Sequence, residues 1–123
     1  MGIYSDAALQ AYTLITEGME PLDAWNDAIS KQTLKKSSRE KGCPRVTFLT
    51  LAYGGYLKDI LADNSKVQEG KLSERAIAAA DYVLSDLGIS KKELADYLDY
   101  NDRQGSYDIV LTLSVCDLLQ QPK

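Results

Sequence analysis

Apolar residues recur at helical spacing from one end of this 123-residue chain to the other, and no stretch between them reads as a strand. Sustained apolar–polar alternation is missing, and so are the Asn-Gly and Asp-Gly pairs that close tight hairpins. The expected fold is therefore all-α. A chain of this length fits one domain, 1–123, and buries roughly two thirds of its unfolded surface, so neither metal nor disulfide is needed for folding. Because the helical runs are short and unequal, the expected architecture is a compact orthogonal bundle of five to six helices rather than an up-down one.

Local signals place the helices. Ser5 is the expected cap of the first, with Asp6 at its positive end and Leu9, Tyr12, Leu14 and Ile15 on its apolar face. Gly18 is positioned to end it in the left-handed conformation. Pro21 suits the first turn of a second helix carrying Leu22, Trp25 and Ile29 on one side. A third helix is expected from near Pro44 to the pair Gly54-Gly55, followed by a short apolar continuation at Tyr56, Leu57, Ile60 and Leu61. "DNSKVQEGK" reads as a loop. Ser73 is the expected start of the fourth helix, which Gly88 closes. Ser90 and Glu93 form a capping box for the fifth. The last, over about 103–119, is apolar nearly all round, with Ile109, Val110, Leu111, Leu113, Val115, Leu118 and Leu119, and is expected at the centre.

Histidine is absent, which removes Ser-His-Asp and Cys-His catalysis and any histidine-ligated metal. The two cysteines, Cys43 and Cys116, are too far apart for a zinc motif. "DYLDYNDRQGSYD" is acidic enough to suggest a calcium loop. Asp99 and Asn101 fit its first and third positions, but Arg103, Gln104 and Val110 occupy the fifth, sixth and twelfth, so no metal is expected there. No cofactor is expected either. No apolar run approaches the ~20 residues that span a bilayer. "MGIYSDAALQ" lacks the basic and apolar regions of a signal peptide, and Asp6 stands where a myristoylation signal has Ser or Thr. The expectation is a soluble, cytoplasmic protein with no membrane partner.

Charge singles out one segment. Residues 31–45 hold Lys31, Lys35, Lys36, Arg39, Lys41 and Arg45 against Glu40, a local charge of +5 in a chain of net −4, so the remainder carries −9. The segment reads as a basic loop running into a helix N-terminus, whose unpaired N–H groups and dipole favour an anion. The candidate partner-binding residues are Lys35, Lys36, Ser37, Ser38, Arg39, Lys41, Gly42 and Arg45. Arginines suit bidentate contact with phosphate or carboxylate, and lysines act as point charges. Cys43, ahead of Pro44 and so expected to be extended, is a possible reactive thiol, but no histidine is present to serve as its base. A second candidate surface is acidic and aromatic: Asp96, Tyr97, Asp99, Tyr100, Asp102 and Tyr107.

"SSREKGCPRVTFLTLAYGGYLKDI", followed by "QGSYDIVLTL", resembles an uncharacterised family of small bacterial domains. The matching positions are Ala24-Trp25, the run Lys41-Gly42-Cys43-Pro44-Arg45, Phe48, Leu49, Leu51, Gly55 and Asp108. The relatives carry a glycine- and tyrosine-containing turn after the third helix that "DNSKVQEGK" lacks, so nothing is carried over for that turn. The resemblance implies a fold and draws attention to the Lys-Gly-Cys-Pro-Arg run; it implies no activity.

Three functions fit these residues. The first is a non-enzymatic module that docks a protein or a phosphate-bearing partner, nucleic acid included, through 31–45. The second is a small acidic inhibitor or immunity-type protein whose negative remainder imitates DNA toward a nuclease-like target. The third is an enzyme using a Cys43 thiolate. A helix-turn-helix reading fails because the candidate recognition helix offers only Arg45, Thr47 and Thr50 to read bases, in a chain of pI near 4.8.

Overall fold

Among the described residues the runs of helical spacing become six helices of eight residues or more and two short turns, one of them a 3-10 turn at Asn64–Lys66. This computed structural model describes residues 2–102 and 105–122. In it α1 spans Ile3–Thr16, α2 Pro21–Gln32, the single turn α3 Lys36–Arg39, α4 Gly42–Tyr53, α5 Lys71–Ser85, α6 Lys91–Leu98 and α7 Ser106–Val115. Among the described residues the sole β-type pairing is an isolated bridge between Leu57 and Leu119. The fold is thus an all-α bundle, and no helix among the described residues is long and apolar enough to cross a membrane.

Several boundaries follow the local chemistry read from the sequence. Gly18 takes φ +106°, and the Met19 N–H then reaches back to the Leu14 carbonyl at 3.0 Å to close α1. Pro21 opens α2, where its missing N–H removes no helical bond. The capping box of α6 is reciprocal: Glu93 N–H donates to Ser90 Oγ at 3.1 Å, and Ser90 N–H donates to Glu93 Oε1 at 3.3 Å.

Two serines expected as caps are instead buried inside their helices. α1 starts at Ile3 with Gly2 as its cap, so Ser5 lies a turn within and is 2% exposed. α5 starts at Lys71, after Gly70 at φ +125°, which only glycine adopts readily. Ser73 is consequently in its first turn, where its hydroxyl shares a 3.0 Å hydrogen bond with that of Thr50 on α4. In each case the chain turns into the helix at an upstream glycine. The other end of α5 also differs, since the helix stops at Ser85, ahead of Gly88.

The final helix is shorter than 103–119. Residues 103 and 104 lie outside the described residues, and α7 ends at Val115. Asp117 then takes φ +60°, and the chain runs extended, with Lys58 N–H donating to Leu118 O at 2.9 Å and Gln120 N–H to Tyr56 O at 2.8 Å. Leu119 is buried through this pairing rather than on a helix face, and Val115 is 83% exposed, so α7 is not apolar all round. It is nonetheless central: it packs against α1, α4, α5 and α6, with Ile109, Val110 and Leu113 fully buried. At its start Gly105 has φ +92°, and a Cβ there would sit 2.9 Å from the Tyr4 ring of α1, so both backbone and space require glycine.

α4 is more completely covered than α7. Eight of its twelve residues are buried, and it packs against α2, α5 and α7. Phe48 stacks on Trp25 of α2 with ring centroids 5.2 Å apart and an interplanar angle of 26°. One cluster of buried residues joins these helices to the alanines Ala7, Ala8 and Ala11 of α1 and Ala24 and Ala28 of α2, small side chains that let that helix pair pack closely.

Leu113→Ala should cost about 2–5 kcal/mol, the usual range for a fully buried leucine, whereas exposed Val115→Ala should change stability by less than about 0.5 kcal/mol. Urea titration of the two variants checks both, and equal losses would contradict this placement of α7.

Candidate functional site

The basic segment is helical over much of its length and is not the continuous loop expected. Lys31 lies in the last turn of α2, Lys36–Arg39 forms α3, and α4 begins at Gly42. Cys43 is helical although it precedes Pro44, and Pro44 itself, in the first turn of α4, removes no helical hydrogen bond. α3 packs on α2, and the Tyr4 hydroxyl of α1 donates to the Ser38 carbonyl at 3.0 Å, so the segment is tied to both helices. Lys35, Lys36, Ser37 and Lys41 are exposed; Ser38, Arg39, Gly42, Cys43 and Arg45 are half-buried.

Ion pairs engage four lysines, while Lys71, Arg75 and Lys92 enter none among the described residues. Lys31 pairs with Asp27 at 3.0 Å, Lys58 with Asp117 at 2.7 Å, Lys91 with Asp108 at 3.1 Å, and Lys66 with Glu20 at 3.4 Å. Among the described residues Lys35, Lys36, Arg39, Lys41 and Arg45 enter no ion pair. No side chain caps α4 at Lys41. Leu34, just ahead of these cations, is 91% exposed.

The Lys-Gly-Cys-Pro-Arg run does not form one site. Helical twist sends Cys43 and Arg45 to opposite flanks of α4. Cys43 and Thr47 line a tight cleft against α5 and α7, closed by Arg75, Tyr100, Asp102 and Tyr107. Its free volume is about 10 Å³, room for about one water. The Arg75 guanidinium lies 3.5 Å from the Tyr100 ring centroid. Tyr107 donates its N–H to Asp102 Oδ2 at 2.9 Å and its hydroxyl to the Tyr100 carbonyl at 2.8 Å.

Those last bonds correct the second candidate surface. Tyr107 is 1% exposed and belongs to the core, and Asp102 is buried beside it, holding the start of α7. Asp96, Tyr97 and Asp99 remain outside, with Tyr97 set edge-on against Tyr82, while half-buried Tyr100 lies under Arg75. The six residues thus do not share one face.

Arg45 looks instead into a groove of about 550 Å³ between α2, α4 and the segment 66–68. Leu22, Val46, Leu49 and Tyr53 supply its apolar lining, and Glu20 and Lys66 close one end. The Tyr53 hydroxyl and the Lys66 ammonium both donate to Glu20 Oε1, and Leu22 N–H donates to Oε2 at 2.8 Å. Burial pushes the Glu20 carboxyl up, but the bonds from Tyr53, Leu22 and Lys66 together outweigh it and hold the group below its usual range. Burial, then donation to that carboxylate and its charge, raises the Tyr53 phenol to about 12. Glu20 is therefore ionised and fully engaged within the chain, and Arg45 is the groove charge without a partner among the described residues. Sequence reasoning missed Glu20, Tyr53, Lys66 and Arg75, because each acts through a residue distant along the chain and no local spacing marks them.

Fold and surface define a small all-α domain that carries a basic segment across the start of its most buried helix. Residues 1–120 match the model of a family of unknown function (DUF6979), and the chain belongs to that family, in keeping with its resemblance to an uncharacterised one. Neither the curated proteins nor the solved structures gave a match.

Because the folded-state pKa of Glu20 lies below the ordinary value of 4.5, its ionised form stabilises the fold above that pH, and the contribution disappears as pH falls through the folded pKa. Glu20→Gln should therefore destabilise by less than about 1 kcal/mol at neutral pH, the pair being partly exposed, and by progressively less in acid. Urea midpoints measured at both pH values check the sign. The thiols should also differ: both are free, Cys116 exposed and Cys43 half-buried, so iodoacetamide should modify Cys116 well before Cys43 as followed by mass spectrometry.

Proposed function

We propose that this chain is a non-enzymatic binding module of the cytoplasm that docks an acidic surface of a partner protein through the basic segment 31–45. The observation that carries the reading is the run of five cations, Lys35 to Arg45, that enter no ion pair among the described residues, in an acidic chain where four other lysines are paired. Unpaired charges at a surface attract and orient an oppositely charged partner. Exposed Leu34 beside them favours a protein over a bare phosphate backbone, since protein interfaces combine apolar contact with charge. The non-enzymatic part is supported by the lack of histidine and by the Cys43 cleft, too narrow for a substrate much larger than water.

The test uses heparin as a generic polyanion. Wild-type protein should be retained on a heparin column at low salt despite its pI near 4.8, and should elute as salt rises. The triple variant Lys35→Glu, Lys36→Glu, Lys41→Glu should flow through while keeping its helical circular dichroism, because exposed substitutions seldom cost more than ~0.5 kcal/mol each. Flow-through of the wild type would end the reading. Retention on a cationic matrix alone would move the binding face to the acidic remainder, as in the inhibitor reading.

A further inference from the structure

The groove beside Arg45 narrows the partner's chemistry, and the inference rests on the partner-binding reading above. Its α4 wall is a stripe of Arg45, Val46, Leu49 and Tyr53, eight residue steps from end to end or about 12 Å of helix. Leu22, 42% exposed, lies on the opposite α2 wall. An extended peptide of three or four residues covers that length at about 3.3 Å each. Its alternate side chains, about 6.6 Å apart on one face, match the one-turn step of about 6 Å from Arg45 to Leu49.

Charge sets the occupant. Both oxygens of Glu20 accept bonds from within the chain, and Lys66 is held by that carboxylate and by Asp63 at 3.9 Å. Arg45, at one end of the apolar wall, has no ion-pair partner among the described residues. We propose that the α2–α4 groove receives an extended segment of a partner protein with an acidic residue and an apolar residue two positions apart, in either chain direction. The carboxylate sits on Arg45 and the apolar side chain against Leu49 and Leu22. The mode is a short linear segment lying in a groove, read by alternate side chains.

The probe is a displayed library of random twelve-residue peptides panned against the full-length protein. The expected result is enrichment of sequences with an acidic and an apolar residue two apart. A synthetic enriched peptide should lose at least about tenfold in affinity to Arg45→Gln, the loss of a charge-assisted contact. Leu22→Gln should also weaken it, and Lys91→Gln, which bridges to Asp108 away from the groove, should not. Should Arg45→Gln perturb folding, the peptide's NMR shift footprint on the wild type must still centre on α4 between residues 45 and 53 and on Leu22. Failure to enrich such a pattern, indifference to Arg45→Gln, or a footprint elsewhere overturns the proposal. If heparin retention holds while any of these occurs, the basic-segment reading stands and the groove is not its docking site. If heparin retention fails and the peptide pattern appears, the reverse follows.

Discussion

The stacking of Phe48 on Trp25 sets the rotation of α4 about its own axis, and the rest of the surface depends on that rotation. Both rings are essentially unexposed, and a buried aromatic pair contributes about 0.5–1.5 kcal/mol beyond its burial. With α4 held on α2 by this pair, Thr50 meets Ser73 of α5, and Leu51 is buried in the same cluster. Little of α4 is left for solvent. What remains is its first turn and the narrow stripe at Arg45 and Leu49.

That rotation explains why neighbours in sequence acquire different surroundings. Cys43 and Arg45 are two residues apart, yet one lines a cleft with room for about one water and the other an open groove of about 550 Å³. The half-buried thiol lines this cleft with Arg75, Tyr100, Asp102 and Tyr107, where the Arg75 guanidinium lies on the Tyr100 ring, the Tyr107 hydroxyl donates to the Tyr100 carbonyl and the Tyr107 N–H donates to Asp102. The groove is made of side chains from two helices and a loop, with its one carboxylate already engaged. The cleft consolidates the fold, and the groove presents chemistry outward.

Signals contained within a few residues were readable in the sequence. Gly18, Pro21 and the Ser90–Glu93 box act over one turn, and each does locally what its chemistry dictates. Ser5 and Ser73 misled because a hydroxyl near a helix start has two uses, and the glycine upstream decides between them. The extent of the last helix misled for a related reason. Leu118 and Leu119 continue the apolar pattern, but their burial comes from pairing with the chain at Tyr56–Lys58, a contact across some sixty positions that periodicity does not encode. Tyr107 looked like a rim residue because acidic neighbours surround it in sequence; in space its hydroxyl and N–H are both satisfied inward. The basic segment was legible as composition, while the surroundings that Cys43 and Arg45 meet on their two flanks of α4 come from its packing against α2, α5 and α7.

The acidic remainder does not cancel the basic segment, and the reason lies in what the acids already do. Asp27, Asp108, Asp117 and Glu20 sit on lysines, Asp81 accepts from the Tyr56 hydroxyl, Asp102 holds the start of α7, and Glu93 caps α6. The Tyr56 phenol is raised by burial and then by that bond to Asp81, so it remains the donor at neutral pH. These acids are engaged locally, where they stand in the bundle. At physiological ionic strength the screening length is about 8 Å, shorter than the width of a single helix with its side chains, about 10–12 Å. A partner approaching residues 35–45 within that distance meets cations that enter no ion pair among the described residues, although the chain as a whole carries −4. Net charge therefore describes how this protein behaves at a distance, and the placement of its ion pairs describes what it offers at contact.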